Sequence, residues 1–154
     1  MKIEKGNSGQ SLIEVLVALG IVSIIATALT AVVVTSMSNA QLSKNQNQAL
    51  QYSQEGMEVV RRLRDQDYAS FRNYNSTFCL DKGSEVLGAD CNDANIDNFF
   101  LRKVTIVQSG CSANVSSVVV TVSWADGKCP ANNNFCRASR LESCLSVVNS
   151  VPAL

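Results

Sequence analysis

The chain has 154 residues, with 13 basic and 13 acidic side chains, six cysteines and no histidine. A net charge of zero leaves no electrostatic footprint for nucleic acid, and the lack of histidine removes the commonest general base and the commonest metal ligand. The length fits one domain with an appendage, and the 46% apolar content is concentrated in residues 12–34 and in short runs after residue 99.

Residues 1–9 are polar and carry Lys2 and Lys5, a positive flank of the kind that stays on the cytoplasmic side of a membrane. Gly9-Gln10-Ser11-Leu12-Ile13-Glu14-Val15 then opens an apolar run that continues to Val34. From Val15 to Val34 there is no charge, and only Ser23, Thr27 and Thr30 are polar. A helix of ~20 such residues crosses a bilayer core of ~30 Å. Glu14 stands at its edge; a carboxylate there costs less than the roughly 2.5–3.5 kcal/mol of mid-span. A cleaved secretory signal is one rival, with Ser38-Asn39-Ala40 as a small-x-small site before Gln41. An uncleaved signal anchor is another. Against a signal stand the length of the apolar run, beyond a core of about 7–15 residues, and Glu14 near its start.

The helical pattern continues beyond the apolar run. Leu42, Ala49, Leu50, Met57, Val60 and Leu63 recur at helical spacings and mark one face, while Lys44, Gln48, Gln51, Glu55, Glu58, Arg62 and Asp65 mark the other. Glu58 and Arg62 form an i,i+4 pair, and Gly56 is a local weakness of ~1 kcal/mol against alanine. A single helix from Gln10 to about Asp65 would be ~80 Å long. Residues 68–98 read as a loop pinned by Tyr68, Phe71, Tyr74 and Phe78, with an acidic stretch from Asp81 to Asp97.

Strand signals follow. Phe99–Val107 is rich in β-formers, 110–114 reads as a turn, and Ser116–Ala125 alternates with Val118, Val120, Val122 and Trp124 on one face. Asp126-Gly127 is turn chemistry, residues 128–138 form a hairpin tip, and Arg140–Val148 gives a third strand with Leu141, Leu145 and Val147 on its apolar side. Short connections predict an antiparallel meander, and the amphipathic half of the helix supplies the cover that three strands need.

All six cysteines, Cys79, Cys91, Cys111, Cys129, Cys136 and Cys144, lie behind the membrane-length stretch, which reads as a disulfide framework in an oxidising compartment. A zinc site is disfavoured because the nearest pair, Cys129 and Cys136, lacks the close C-x2-C spacing. Six cysteines allow fifteen connectivities. Cys129 and Cys136 flank the hairpin tip and Cys79 and Cys91 flank one loop, which leaves Cys111 with Cys144 as one arrangement among them.

Other features have plain readings. Asp90, Asn92, Asp93, Asn95 and Asp97 lack the spacing, glycine and glutamate of a calcium loop and read as a solvated acidic loop. Arg61, Arg62 and Arg64, interleaved with Glu58, Asp65 and Asp67, read as a salt-bridged surface rather than a phosphate or DNA contact. Trp124, at the end of a valine row, reads as core. No nucleophile motif, acid/base carboxylate pair or phosphate-cradling glycine loop is present, so no enzyme activity, cofactor or metal is expected.

The N-terminal residues resemble the type IV pilin family, including minor pilins and type II secretion pseudopilins. The resemblance rests on Lys2, Lys5 and Gly9, followed by Gln10-Ser11-Leu12-Ile13-Glu14-Val15-Leu16-Val17-Ala18. It is specific over residues 1–34, looser over 35–67, and architectural beyond. It implies a membrane peptidase that cuts after Gly9 and methylates the new N-terminus, Gln10, where family members usually carry phenylalanine. It also implies that Glu14 meets the freed amine of a neighbouring subunit in a filament.

The expected fold is α+β, a long N-terminal helix packed on an antiparallel sheet of about three strands. Residues 1–9 form a leader, 10–67 the helix with 10–34 as its transmembrane and assembly part, and 68–154 the head. The expected protein is a non-enzymatic subunit of a pilus-like filament. Its processing residues are Gly9 and Gln10, and its assembly residues are Leu12, Ile13, Glu14 and Val15. Its partners are copies of itself or related pilins, the cytoplasmic membrane before assembly, and the prepilin peptidase/N-methyltransferase; no nucleic acid is expected. The N-terminus lies inside and the head outside, then on the cell surface. Alternatives are a minor pilin or pseudopilin that primes assembly or secretion, and a membrane-anchored binding domain that never polymerises.

Overall fold

Both prolines of the chain, Pro130 and Pro152, fall far from the N-terminal half, so nothing there removes a hydrogen bond from a helix interior. The computed structural model accordingly has one uninterrupted helix, α1, over Ser8–Gln66. The residues described are 8–146 apart from 90 and 92, with the side chains of 8–11 also excepted. Lys2, Lys5, Asp90, Asn92 and Val147, named above, lie outside them. The chain divides into two units, residues 1–42 and 43–154.

In the second unit, α1 stops because Asp67 turns extended (φ −150°, ψ 93°). Its carboxylate accepts the Ser70 N–H at 3.0 Å and so caps a short helix, α2, over Tyr68–Phe71. Four strands follow: β1 (Thr77–Cys79), β2 (Phe100–Ser112), β3 (Val115–Trp124) and β4 (Arg137–Ser146). They lie in the order β1-β2-β3-β4, every neighbour antiparallel. The fold is α+β, as expected, but with four strands rather than about three. The segment 68–98 is not all loop, since it contains α2 and β1. A three-residue strand is too short to show alternation; β1 exists because Thr77, Phe78 and Cys79 find Thr105, Val104 and Lys103 on β2.

β3 alternates strictly between buried and half-buried residues, with Val118, Val120, Val122 and Trp124 inward. Phe100, Val104 and Ile106 of β2 and Leu145 of β4 join them. Against this face α1 buries Ala49, Ser53, Gly56, Met57 and Val60. Leu42 and Leu50, expected on that face, remain 38% and 42% exposed. The buried stripe runs through small residues instead, because the helix lies close to the sheet. A Cβ on Gly56 would stand 3.0 Å from Val120 Cγ1 and 3.2 Å from Arg102 Cδ. The glycine read as a weakness is where the helix and sheet come nearest.

β2 runs through residues 110–112 rather than turning there, by way of a register shift between Val107 and Ser112. The left-handed φ of Ser109 (57°) and the crowding at Gly110, whose added Cβ would lie 2.8 Å from Ser117 Cβ, mark this bulge. The hairpin closes at Ala113-Asn114, with Asn114 at φ 63°.

Candidate processing and assembly segment

The first unit carries the residues expected to serve processing and assembly. Gly9 and Gln10 lie in the first turn of α1. The first four N–H groups of a helix have no intrahelical acceptor, so opening this turn around the Gly9–Gln10 bond sacrifices few hydrogen bonds. Leu12, Ile13, Glu14 and Val15 are all exposed. Successive helical residues turn by about 100°, so the four cover the whole circumference rather than one face. No residue from Leu12 to Val34 is buried, and the most apolar 18-residue window has a mean hydropathy of 2.6. The segment is therefore apolar all round, long enough to span a bilayer, and exposed along its whole length.

Its hydroxyl groups are satisfied internally. Ser23 donates to the Leu19 carbonyl at 2.8 Å, Thr27 to Ile24 at 2.9 Å, Thr30 to Thr27 at 2.8 Å and Thr35 to Ala31 at 2.9 Å. Such back-bonding removes the cost of placing a hydroxyl in hydrocarbon. Glu14 is the charged side chain left in this part of the helix, at the boundary of the uncharged run.

The second unit is held by three disulfides, Cys79–Cys91, Cys111–Cys144 and Cys129–Cys136. Asp126 lies beside the last of these, and the three residues are the described group that could hold a metal ion. Both sulfurs are already bonded to each other. The Asp126 carboxylate is occupied by Arg137 Nε at 2.7 Å and the Lys128 N–H at 2.9 Å, which hold its pKa below the ordinary 3.8. The cluster fixes the hairpin tip and offers no ligand set.

A residue that the sequence reading passed over organises the connection between α2 and β2. Arg102 is fully buried. Its guanidinium donates to the carbonyls of Leu80 (2.9 Å), Asp81 (2.8 Å) and Tyr52 (3.1 Å) and lies 3.4 Å from the Glu55 carboxylate. Burial lowers its pKa and Glu55 opposes that shift. Its backbone is held by Asn95, which accepts the Arg102 N–H at 2.8 Å and donates to its carbonyl at 3.1 Å. The residue ties α1, the 80–98 connection and β2 at one point. The period-2 phase of Phe100, Val104 and Ile106 puts it on the inward row, which was the available clue.

Nearby, Asp97 accepts from Tyr52 Oη at 3.0 Å and from Lys82 Nζ at 2.9 Å. Lys82 and Tyr52 hold the Asp97 carboxyl below its ordinary range, and Asp97 raises the Lys82 pKa. Burial, then Asp97, pushes the Tyr52 hydroxyl up. Asp97 and Asn98 both adopt left-handed φ values (50° and 52°) in a tight turn between Ile96 and Phe100, a conformation their short polar side chains tolerate. Gln108 does similar work at the other end of the sheet, donating to the carbonyls of Phe71 (3.1 Å) and Tyr74 (2.7 Å) and accepting from Ser116 Oγ (2.6 Å).

The arginines of α1 form ion pairs, though not all the expected ones. Arg61 pairs with Glu58, Arg62 reaches Glu85, and Arg64 pairs with Asp65 at 2.7 Å. The i,i+4 partner expected for Glu58 is therefore engaged by the 80–98 connection, and Asp67 serves as the cap of α2. Trp124 is core, 2% exposed, and its indole N–H has no hydrogen-bond partner among the described residues.

Comparison with known proteins locates the resemblance. No curated protein and no solved structure matches the chain. Residues 5–30 match a family model described as the prokaryotic N-terminal methylation motif. Over those residues the chain carries a type IV prepilin-like N-terminal motif, ahead of a membrane-length helix and a disulfide-bearing antiparallel sheet.

Proposed function

We propose that the chain is a structural subunit of a type IV pilus-like surface filament. Its precursor sits in the cytoplasmic membrane with Lys2 and Lys5 inside and the cysteine-bearing head outside. A prepilin peptidase cuts after Gly9, and Gln10 becomes the methylated N-terminus. The observation that carries this reading is the match over residues 5–30 together with a helix apolar on every side and bare from Leu12 to Val34.

The chemistry of Glu14 fits that reading. Cutting after Gly9 frees an amine whose ordinary pKa is about 7.7–8.0, so it is largely cationic at neutral pH. Glu14 then stands one helical turn from its own chain's amine and can meet that of a neighbour as both leave the membrane. A charge buried without a partner is costly, and pairing offsets much of that cost. Glu14 thus selects the register in which helices pack.

Mass spectrometry of the N-terminal peptide from the surface fraction tests the proposal. A start at Gln10 with one added methyl group is expected. An intact Met1, or a start at Gln41, overturns it. Glu14→Leu should leave the processed protein in the membrane and abolish filaments; normal filaments from this variant would remove the pairing role.

A further inference from the structure

Two Asn-x-Ser/Thr sequences occur in the second unit, Asn75-Ser76-Thr77 and Asn114-Val115-Ser116. Transfer of an oligosaccharide to asparagine requires the side-chain amide nitrogen and the hydroxyl two residues on, both within reach of a transferase. The fold treats the two sequences differently. Ser116 is buried, with 2% of its surface exposed, and its hydroxyl donates to Gln108 Oε1 at 2.6 Å. The Asn114 sequence is therefore closed once β2 and β3 have paired. Asn75 and Ser76, in the irregular connection between α2 and β1, and Thr77, the first residue of β1, are all exposed. The Thr77 hydroxyl shares a hydrogen bond of 2.9 Å with that of Thr105 but, unlike that of Ser116, stays open to solvent. The side-chain oxygen of Asn75 accepts the Gln108 backbone N–H at 3.1 Å, which holds the side chain in place; its amide nitrogen has no hydrogen-bond partner among the described residues.

The surroundings give such a group a role. β1 is the first strand of the sheet, and among the described residues its outer edge is paired at Cys79, which bridges to Gly88. Thr77 and Phe78 present an open edge, a liability for pairing with strands of other chains. A bulky, hydrated group two residues before Thr77 would shield it.

We propose that Asn75 is the acceptor of an N-linked oligosaccharide, added to the folded head, and that Asn114 is not. The donor class is a lipid-pyrophosphate-linked oligosaccharide. The Asn75 nitrogen bonds to the anomeric carbon, the carbon–oxygen bond to pyrophosphate breaks, the lipid pyrophosphate leaves with the bonding pair, and one amide proton is lost. The proposal rests on outward display of the head and not on polymerisation.

Tryptic peptides of the reduced and alkylated protein, taken from the surface of its own cells, separate the two sites. Residues 73–82 contain Asn75, and residues 104–128 contain Asn114. Fragmentation should place a saccharide on Asn75 and leave peptide 104–128 at its unmodified mass. Asn75→Gln and Thr77→Val should both lose the added mass, while Thr77→Ser keeps it. Unmodified peptides, a saccharide on Asn114, or a saccharide on the Ser76 or Thr77 hydroxyl each overturn the proposal.

Discussion

Arg102 is the residue on which the head most depends. Replacing it with methionine keeps much of the volume but strips three carbonyls and Glu55 of their donor. Glu55 is 41% exposed and can turn to water, but each buried carbonyl left without its donor costs about 1–3 kcal/mol. Thermal unfolding of the detergent-solubilised chain should show a loss of that order for Arg102→Met and a large loss for Arg102→Lys, whose ammonium lacks the planar fork. Gly56 makes the complementary case. Glycine to alanine in a helix ordinarily gains ~1 kcal/mol, but overpacking costs typically ~1–3 kcal/mol. Val120 is fully buried and Arg102 is pinned, so neither can withdraw. Gly56→Ala should lower stability by about 1 kcal/mol, whereas Gly127→Ala, with nothing within 4 Å of its new Cβ, should be close to neutral. At this scale the sequence was a mixed guide. The Val118–Trp124 row announces itself by alternation. A lone arginine in a strand reads as outward-facing, and a lone glycine as a flaw, until the partner surface is known.

Among the elements, the Asp67 cap of α2, whose carboxyl Ser70 holds below its ordinary range, and the two turns anchored by Asp97 and Asp126 carry the pH dependence of the head. Asp97 and Asp126 both have pKa values below the ordinary 3.8, because Lys82 and Tyr52 favour the charged form of one and Arg137 and Lys128 that of the other. A depressed folded pKa gives stability that is present above 3.8 and is lost as pH falls through the folded value. The melting temperature of the head should therefore hold steady from neutral pH to about 4.5, since no histidine titrates there, and fall below about 4. Asp97→Asn, which keeps the tolerance for a left-handed backbone, should flatten part of that fall. The long helix was legible because periodicity and the absence of proline both point the same way over dozens of residues. The two long hairpin strands were legible by alternation. β1 and α2 were not, since three- and four-residue elements owe their existence to a neighbouring strand and to one capping carboxylate.

For the whole molecule, the disulfides set the balance between a small core and the entropy of the open chain. The closed loops have sequence separations of 33, 12 and 7. On loop entropy alone they contribute about 3.7, 2.8 and 2.4 kcal/mol in that order. Paired serine substitutions should follow the same ranking in unfolding experiments, with Cys111→Ser/Cys144→Ser the most damaging. A reversed ranking would mean that contacts around the shorter loops, not chain entropy, dominate.

The same three bonds also constrain how the molecule is made. The Cys129–Cys136 loop is nested inside the one closed by Cys111 and Cys144. A chain oxidised in the order its cysteines emerge would join Cys79 to Cys91 correctly, then Cys111 to Cys129 and Cys136 to Cys144, both wrongly. Reaching the native set demands either that β4 dock beside β3 before Cys111 is oxidised or that an isomerase reshuffle the early bonds. Maturation of this small head is thus a matter of timing, and a cell that oxidises thiols fast without reshuffling them should accumulate mispaired precursors.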